Sequence, residues 1–178
     1  MKQLIEKAQL GDGDAFAEAV ISMQASLYRM ARVYLKSEDD IADAIQETIL
    51  KAWKSISELE NPAFFKTWMI RILIHEALKI LGKQKREVPL EQDSAAGQDQ
   101  AAASFAEQVS DRKEWQPGHG LEFEEMMEVL SEPFREVFVL YYGEDMSSPE
   151  IAQILNISEE TVRQRLSRGR RIIRELYL

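Results

Sequence analysis

Apolar residues recur along this chain at intervals of three and four, the spacing that places them on one face of an α-helix. No stretch of useful length alternates apolar and polar residues as a strand does, and Gly and Pro are sparse within the periodic stretches. The pattern predicts an all-α fold. We expect helices over eight stretches: 2–10, 13–35, 39–57, 62–84, 121–130, 132–143, 147–155 and 158–176.

The stretch 87–120 differs from the rest, because Ala, Gln, Ser, Asp and Gly dominate it. So little apolar surface cannot offset the entropy lost when a chain becomes ordered. We therefore predict two small helical domains, 1–86 and 121–178, joined by a flexible acidic linker at 87–120. Three apolar linker residues could either anchor a partner or pack loosely on a neighbouring domain: Phe105, Val109 and Trp115.

The net charge of −9 is unevenly distributed along the 178 residues. Residues 1–86 hold 13 Lys and Arg against 12 Asp and Glu, whereas residues 87–120 hold 2 against 7 and residues 121–178 hold 7 against 12. Six of the last seven basic residues crowd between positions 163 and 174. A basic face in an acidic chain is expected to bind free DNA weakly, because the remaining charges repel phosphates.

Several classes of protein are disfavoured by what the sequence lacks. It has no Cys, no signal-peptide-like apolar core, and no apolar run near the ~20 residues that span a bilayer. We expect a cytoplasmic protein without membrane insertion. Two His residues, no phosphate-cradling Gly loop and no clustered carboxylates predict no catalytic site, no metal site and no cofactor.

The end of the chain has the pattern of two short helices joined by a turn. Ser147 and Glu150 form a capping-box pattern before the first helix, and Ser158 can cap the second. Between them, Asn156 can adopt a positive φ at low cost, and it is followed by the apolar Ile157. We predict a helix-turn-helix.

In the second helix of this helix-turn-helix, the stripe expected to face the core comprises Val162 and Leu166 with Gly169 or Ile173, and we call it the inner stripe. Arg and Gln side chains can pair with guanine or adenine edges in the major groove, and further Arg residues suit phosphates. An amphipathic helix with a solvated basic face is the alternative, which the two-helix pattern disfavours. We predict DNA contacts from six side chains: Arg163, Gln164, Arg165, Ser167, Arg168 and Arg171.

The predicted helix 39–57 has two distinct faces. Ile41, Ile45, Ile49 and Trp53 recur at steps of four, and we expect them to be core. The other face is plain solvent surface or a docking site, which periodicity leaves open, and it carries Asp43, Gln46, Glu47 and Leu50.

Aromatic residues punctuate this half beside basic ones. Such aromatics could stack bases while cations hold a nucleic-acid backbone, as in single-strand binders. Core packing is the interpretation that we favour for Trp53, Phe64 and Trp68. His75 has no second His nearby and is not expected to bind a metal.

Together these stretches resemble the extracytoplasmic-function (ECF) group of bacterial RNA polymerase sigma factors. The likeness covers nearly everything except 87–120. In the first half it rests on residues 14–16, 28–31, 43–48, 51–53 and 65–72, and in the second on 134–137, 151–152 and 161–170. The chain departs from the common family pattern at Ala42, His75 and Lys79.

The resemblance implies sigma regions two and four on a tether, with core RNA polymerase, promoter DNA and an anti-sigma factor as partners. Region two would dock on the polymerase clamp helices through the face of Asp43, Gln46, Glu47 and Leu50. It would also hold the melted −10 strand near Asn61, Lys66, Arg71 and His75, with an extruded base in loop 57–63. Region four would read the −35 element through the second helix of the helix-turn-helix.

Two other classes of protein compete with this reading. A regulator carrying only the helix-turn-helix would bind duplex DNA as a dimer, with residues 1–86 as a dimerising or sensing module. It would not co-elute with core polymerase. An enzyme is the other rival, and the residues just described leave it little chemistry.

Overall fold

The computed structural model describes residues 1–87 and 123–177. Within these two stretches the predicted all-α fold is confirmed, and no strand occurs. The helices are α1 (Lys2–Gln9), α2 (Gly13–Tyr34), α3 (Glu38–Ser55), α4 (Phe65–Glu87), α5 (Phe123–Glu128), α6 (Glu132–Phe138), α7 (Ser148–Leu155) and α8 (Glu159–Tyr177). Apart from Glu87, the predicted linker with its residues Phe105, Val109 and Trp115 lies outside the described residues. None of the helices listed above is both long and apolar enough to cross a membrane.

Side-chain caps define where α3 and α7 begin. The Ser37 hydroxyl accepts a hydrogen bond from the Asp40 amide at 3.5 Å. At α7 the predicted capping box is confirmed, and the Ser147 amide donates to the Glu150 carboxylate at 2.8 Å. Each cap satisfies a backbone donor that the helix itself cannot pair.

The first half packs α2, α3 and α4 around one core, with α1 against α2. The predicted core face of α3 is wrong at Trp53, which is 38% exposed, while Ile41 is buried and Ile45 and Ile49 are partly buried against the core. Each residue turns the helix by about 100°, so three steps of four rotate the face by about 120°. The observed buried stripe mixes steps of three and four and stays in register with the core: Ile41, Ala44, Thr48 and Ala52.

The second half packs α6 and α7 against α8. The predicted single helix 132–143 changes winding, because the α-helical turn pattern ends at Phe138 and Val139–Gly143 is a π-helix. Val139 and Leu140, at the start of this wider turn, are both buried. The turn delivers Glu144 to a buried position next to the first half.

Helix α8 lies very close to α6 at Gly169. A Cβ atom built there would lie 2.3 Å from Cε2 of Phe138, whose ring is fully buried. Only Gly allows α8 to lie this close. The two halves also contact each other, through α2 with α6 and α4 with α7.

We expect Gly169→Ala to lower the free energy of unfolding by about 1–3 kcal/mol, because the methyl group must displace a packed ring. Denaturant unfolding followed by circular dichroism measures it. The matched control is Gly82→Ala in α4, where a Cβ meets nothing within 4 Å. That control should leave stability unchanged or raise it by up to about 1 kcal/mol, since Ala is the better helix former. Equal effects of the two variants would contradict the packing role of Gly169.

Candidate nucleic-acid interface

One side of helix α8 is buried against the rest of the second half, and the other side faces solvent. Val162, Leu166, Gly169 and Ile173 are all buried, which confirms the predicted inner stripe. The turn before the helix is as predicted, with Asn156 at φ +53°. The amide of Thr161 donates to the Ser158 hydroxyl at 3.1 Å, which confirms that cap too. Helix α8 is therefore held firmly from one side only.

The outward face carries the predicted DNA-binding residues. Exposed side chains are Arg163, Gln164, Ser167 and Arg171, while Arg168 is half-buried. Glutamates one turn earlier hold two of them: Arg163 pairs with Glu159 at 3.0 Å, and the Gln164 amide donates to Glu160 at 3.2 Å. These exposed contacts are weak and easily exchanged for others.

Arg165 lies apart from that face. Its guanidinium binds the Glu136 carboxylate at 2.5 Å and is only 25% exposed. Burial raises the pKa of Glu136, and hydrogen bonds from Tyr34 and Arg165 with the Arg165 charge counteract that effect only in part. Arg165 is committed to tying α8 to α6 in this conformation.

Helix α3 presents a second candidate surface. Asp43, Gln46, Glu47 and Leu50 are all exposed and lie along one side of the helix. Leu50 is 45% exposed, so this face combines two carboxylates with an unburied apolar side chain. Charged groups around an exposed apolar residue are typical of a docking surface.

An open cleft runs between α3 and α4, and we call it the α3–α4 cleft. Its walls carry Lys51 and Lys54 from α3 and Trp68, Arg71 and His75 from α4. Basic side chains beside a half-buried indole are suited to hold a nucleic-acid backbone and stack a base. Sequence reasoning missed Lys51 and Lys54 as members of this site. Their three-residue spacing, which puts both on one helix face, is the signal that could have found them.

The structure brings together only two of the four residues predicted for the −10 strand. Arg71 and His75 share the α3–α4 cleft and are exposed. The Asn61 side chain accepts from the Ala63 amide at 3.0 Å, which caps the 3-10 turn Pro62–Phe64. Lys66 points to the second half, where its ammonium lies 3.0 Å from the Glu144 carboxylate.

The predicted core placement of three aromatics is wrong for two of them. Phe64 is 55% exposed and Trp53 is 38% exposed, whereas Trp68 is half-buried. Phe65 takes the core position instead and is fully buried. Trp53 still packs on Phe16, with ring centroids 5.0 Å apart.

Buried Glu76 sets the electrostatics of the cleft. It forms an ion pair with Lys51 and lies 3.6 Å from the Lys79 ammonium. Burial alone would raise the pKa of Glu76, but the Lys51 hydrogen bond and the charges of Lys51 and Lys79 together lower that pKa below its ordinary value. Among the described residues, no group of three His, Asp or Glu is placed to hold a metal ion.

Comparisons with known proteins match both halves of the chain. Residues 20–87 match the family described as Sigma-70 region 2, and residues 120–173 match that described as Sigma-70, region 4. The chain is 30% identical over 147 residues to the RNA polymerase sigma factor SigV of Bacillus subtilis, which covers 83% of this chain and 81% of that protein. It is 27% identical over 180 residues to the ECF RNA polymerase sigma factor SigW of the same organism, with 98% and 95% covered.

The fold is also similar to that of a solved structure. The sigma factor RpoE of Bartonella quintana, solved with the anti-sigma factor NepR, superposes with a TM-score of 0.65 and 24% identity. The match covers 90% of this chain and 95% of that one. The shared feature is the helical architecture.

We expect Glu76→Gln to reduce the free energy of unfolding by about 1–3 kcal/mol at pH 7, since the charge-assisted hydrogen bond from Lys51 and the attraction of the nearby Lys79 charge are lost. The pKa of Glu76 is lowered in the folded state, so its stabilisation is fully present above pH 4.5 and is lost as the pH falls below it. Unfolding curves of both proteins from pH 7 to pH 3 should converge at the acid end. A difference that is the same at every pH would refute this.

Proposed function

Because this chain belongs to the ECF group of RNA polymerase sigma factors, we propose that it directs core polymerase to promoters through two separate DNA contacts. The observation that carries the proposal is the order of the two matched regions in one chain, each with an exposed face suited to its task. As a transcription initiation factor it would act in the cytoplasm and supply no catalytic group, cofactor or metal of its own.

The exposed face of α3 would dock on polymerase. Asp43, Gln46 and Glu47 would meet the basic and polar groups of the clamp helices, while Leu50 adds apolar contact. Charges at the rim of such a contact chiefly set association rate and specificity, while the apolar residue contributes affinity.

The α3–α4 cleft would hold the melted −10 strand. Lys54, Arg71 and His75 would face its phosphates, and Trp68 would offer a ring for stacking. The capped turn at Asn61 would shape the loop 57–63 that takes an extruded base. Lys66 would join this set once it is released from Glu144.

The outward face of α8 would read the −35 element in the major groove. Arg163, Gln164 and Arg168 would contact base edges, and Ser167 and Arg171 would contact the backbone. Glu159 and Glu160, which now hold two of these side chains, would be displaced by DNA. With a net charge of −9, the chain would depend on polymerase to reach DNA.

Regulation by an anti-sigma factor belongs to the same proposal. The fold relative from Bartonella quintana was solved in complex with such a factor. The exposed faces of α3 and α8 and the α3–α4 cleft are the surfaces that an inhibitor would need to cover.

We expect Glu47→Lys to weaken binding to purified core polymerase at least tenfold without changing the unfolding transition, because it sets a positive charge against the basic groups of the clamp helices. Fluorescence-detected titration and gel filtration measure it. Glu18→Lys is the matched control, since it makes the same charge change on an exposed site of α2. Wild type that fails to co-elute with core polymerase would favour the dimeric regulator, and equal affinity of both variants would remove the docking role of α3.

We expect Arg168→Ala to reduce promoter-specific transcription by about tenfold or more while polymerase binding survives, because a base contact contributes about 1–3 kcal/mol. The assay is transcription in vitro with core polymerase on a pool of genomic fragments, followed by start-site sequencing. Arg174→Ala, an exposed arginine further along α8, should leave the start sites and yields unchanged. Parallel loss of transcription and polymerase binding in Arg168→Ala would show that the residue is structural.

A further inference from the structure

The two halves of the chain are joined by a charged cluster around Glu144. Its Oε1 atom accepts hydrogen bonds from Nε and Nη2 of Arg29 at 3.1 and 2.8 Å. The Lys66 ammonium lies 3.0 Å from Oε2 and donates to the Glu144 carbonyl at 2.8 Å. The carboxylate is 1% exposed, and both cations come from the first half. We call this cluster the latch.

A second polar contact lies beside the latch. The Tyr34 hydroxyl donates to Oε2 of Glu136 at 2.8 Å, and the same carboxylate binds Arg165. Burial, with the Glu136 charge and hydrogen bond, raises the pKa of Tyr34, so its hydroxyl remains a donor. These two polar contacts, among those that the described residues make between the halves, each involve a glutamate carboxylate of the second half.

We propose that the latch is an autoinhibitory contact, which holds the free chain in a closed form and must break before the chain engages a promoter. The inference rests on the proposed function, because it concerns the same Lys66 and the same two halves. The latch would make the chain's own second half a competitor of DNA.

Distance is the first reason that the closed form cannot serve a promoter. Elements centred about 10 and about 35 base pairs from a start site lie about 25 base pairs apart, or about 85 Å along duplex DNA. A compact body of 142 described residues is only about 40 Å across. The halves must separate to contact both elements at once.

Competition for Lys66 is the second reason. A carboxylate and a phosphate use the same ammonium donors, and in the closed form Lys66 gives its contacts to Glu144. A DNA strand in the α3–α4 cleft would gain Lys66 only by removing it from the latch. By linkage, the factor by which closure lowers the affinity for DNA equals the factor by which bound DNA lowers the equilibrium constant for closure.

The test measures the distance between the halves in the full-length protein. Because the chain has no Cys, Ala17→Cys and Gln153→Cys give one spin label on each half at exposed positions without assigned roles. We expect Glu144→Gln to raise the ratio of open to closed molecules roughly tenfold, as loss of one charge-assisted contact would. Glu125→Gln removes the same charge from an exposed site of the second half and should keep the wild-type distances.

Arg29→Gln breaks the latch from the other half, so damage to the second half cannot explain its effect. The double variant Arg29→Gln, Glu144→Gln should open little more than Glu144→Gln alone, since replacing Glu144 already removes the Arg29 contact. The opened variants should also bind core polymerase and a −10 single-stranded oligonucleotide more tightly, by a similar factor.

Two results would overturn the latch: unchanged distances in Glu144→Gln, or opening without any gain in polymerase or oligonucleotide affinity. Failure of the proposed function itself would look different. In that case neither wild type nor any variant would bind polymerase, whatever the distances, and the autoinhibitory role would fall with it.

Discussion

Each helix of this fold has to bury one apolar stripe, and its functional face is what remains outside. Helix α8 shows the constraint most clearly, because Gly169 brings it so close to Phe138 that it cannot rotate. A rotation of one residue, about 100°, would bury Arg163 and expose Leu166. The direction in which the arginines point is therefore fixed by packing on the opposite side of the helix.

The same constraint decides how much could be predicted from the sequence. The order of the helices, the caps at Ser147 and Ser158, and the outward face of α8 apart from Arg165 follow from local patterns of capping and periodicity, and these predictions hold. On α3 the strict steps of four placed Trp53 in the core, which is wrong. A face followed in steps of four rotates away from the core along the helix. The choice between Phe64 and Phe65 depends on how α4 meets α2 and α3, which no local pattern contains.

The α3–α4 cleft and the contacts between the halves were harder still to predict from the sequence. Lys51 and Lys54 carried a readable spacing, but their pairing with α4 appears only when the two helices pack. Glu144 looked like any other charge in an acidic segment. Glu144 contacts Arg29 and Lys66 because the π-helical turn after Phe138 changes the direction of the chain. No local sequence pattern predicts that turn.

The pairing of individual charged residues constrains this protein more than its net charge does. Acidic residues hold many of the cations that would otherwise meet DNA: Glu159 holds Arg163, Glu136 holds Arg165, Glu76 holds Lys51 and Glu144 holds Lys66. The exposed pairs exchange readily for phosphate, while the buried ones need a change of structure first. The weak affinity for free DNA that we predict would thus have a local cause beside the overall charge.

The ion pairs between the halves suit a contact that has to come apart. When an ion pair is buried, the cost of removing its charges from water offsets much of the attraction, so these pairs add only a small net stability to the apolar packing that also joins the halves. A wholly apolar interface of the same size would hold more strongly and would expose a larger apolar surface once opened. Arg29 and Lys66 remain partly exposed even when paired, so separation returns all three charged groups to water without leaving any of them stranded.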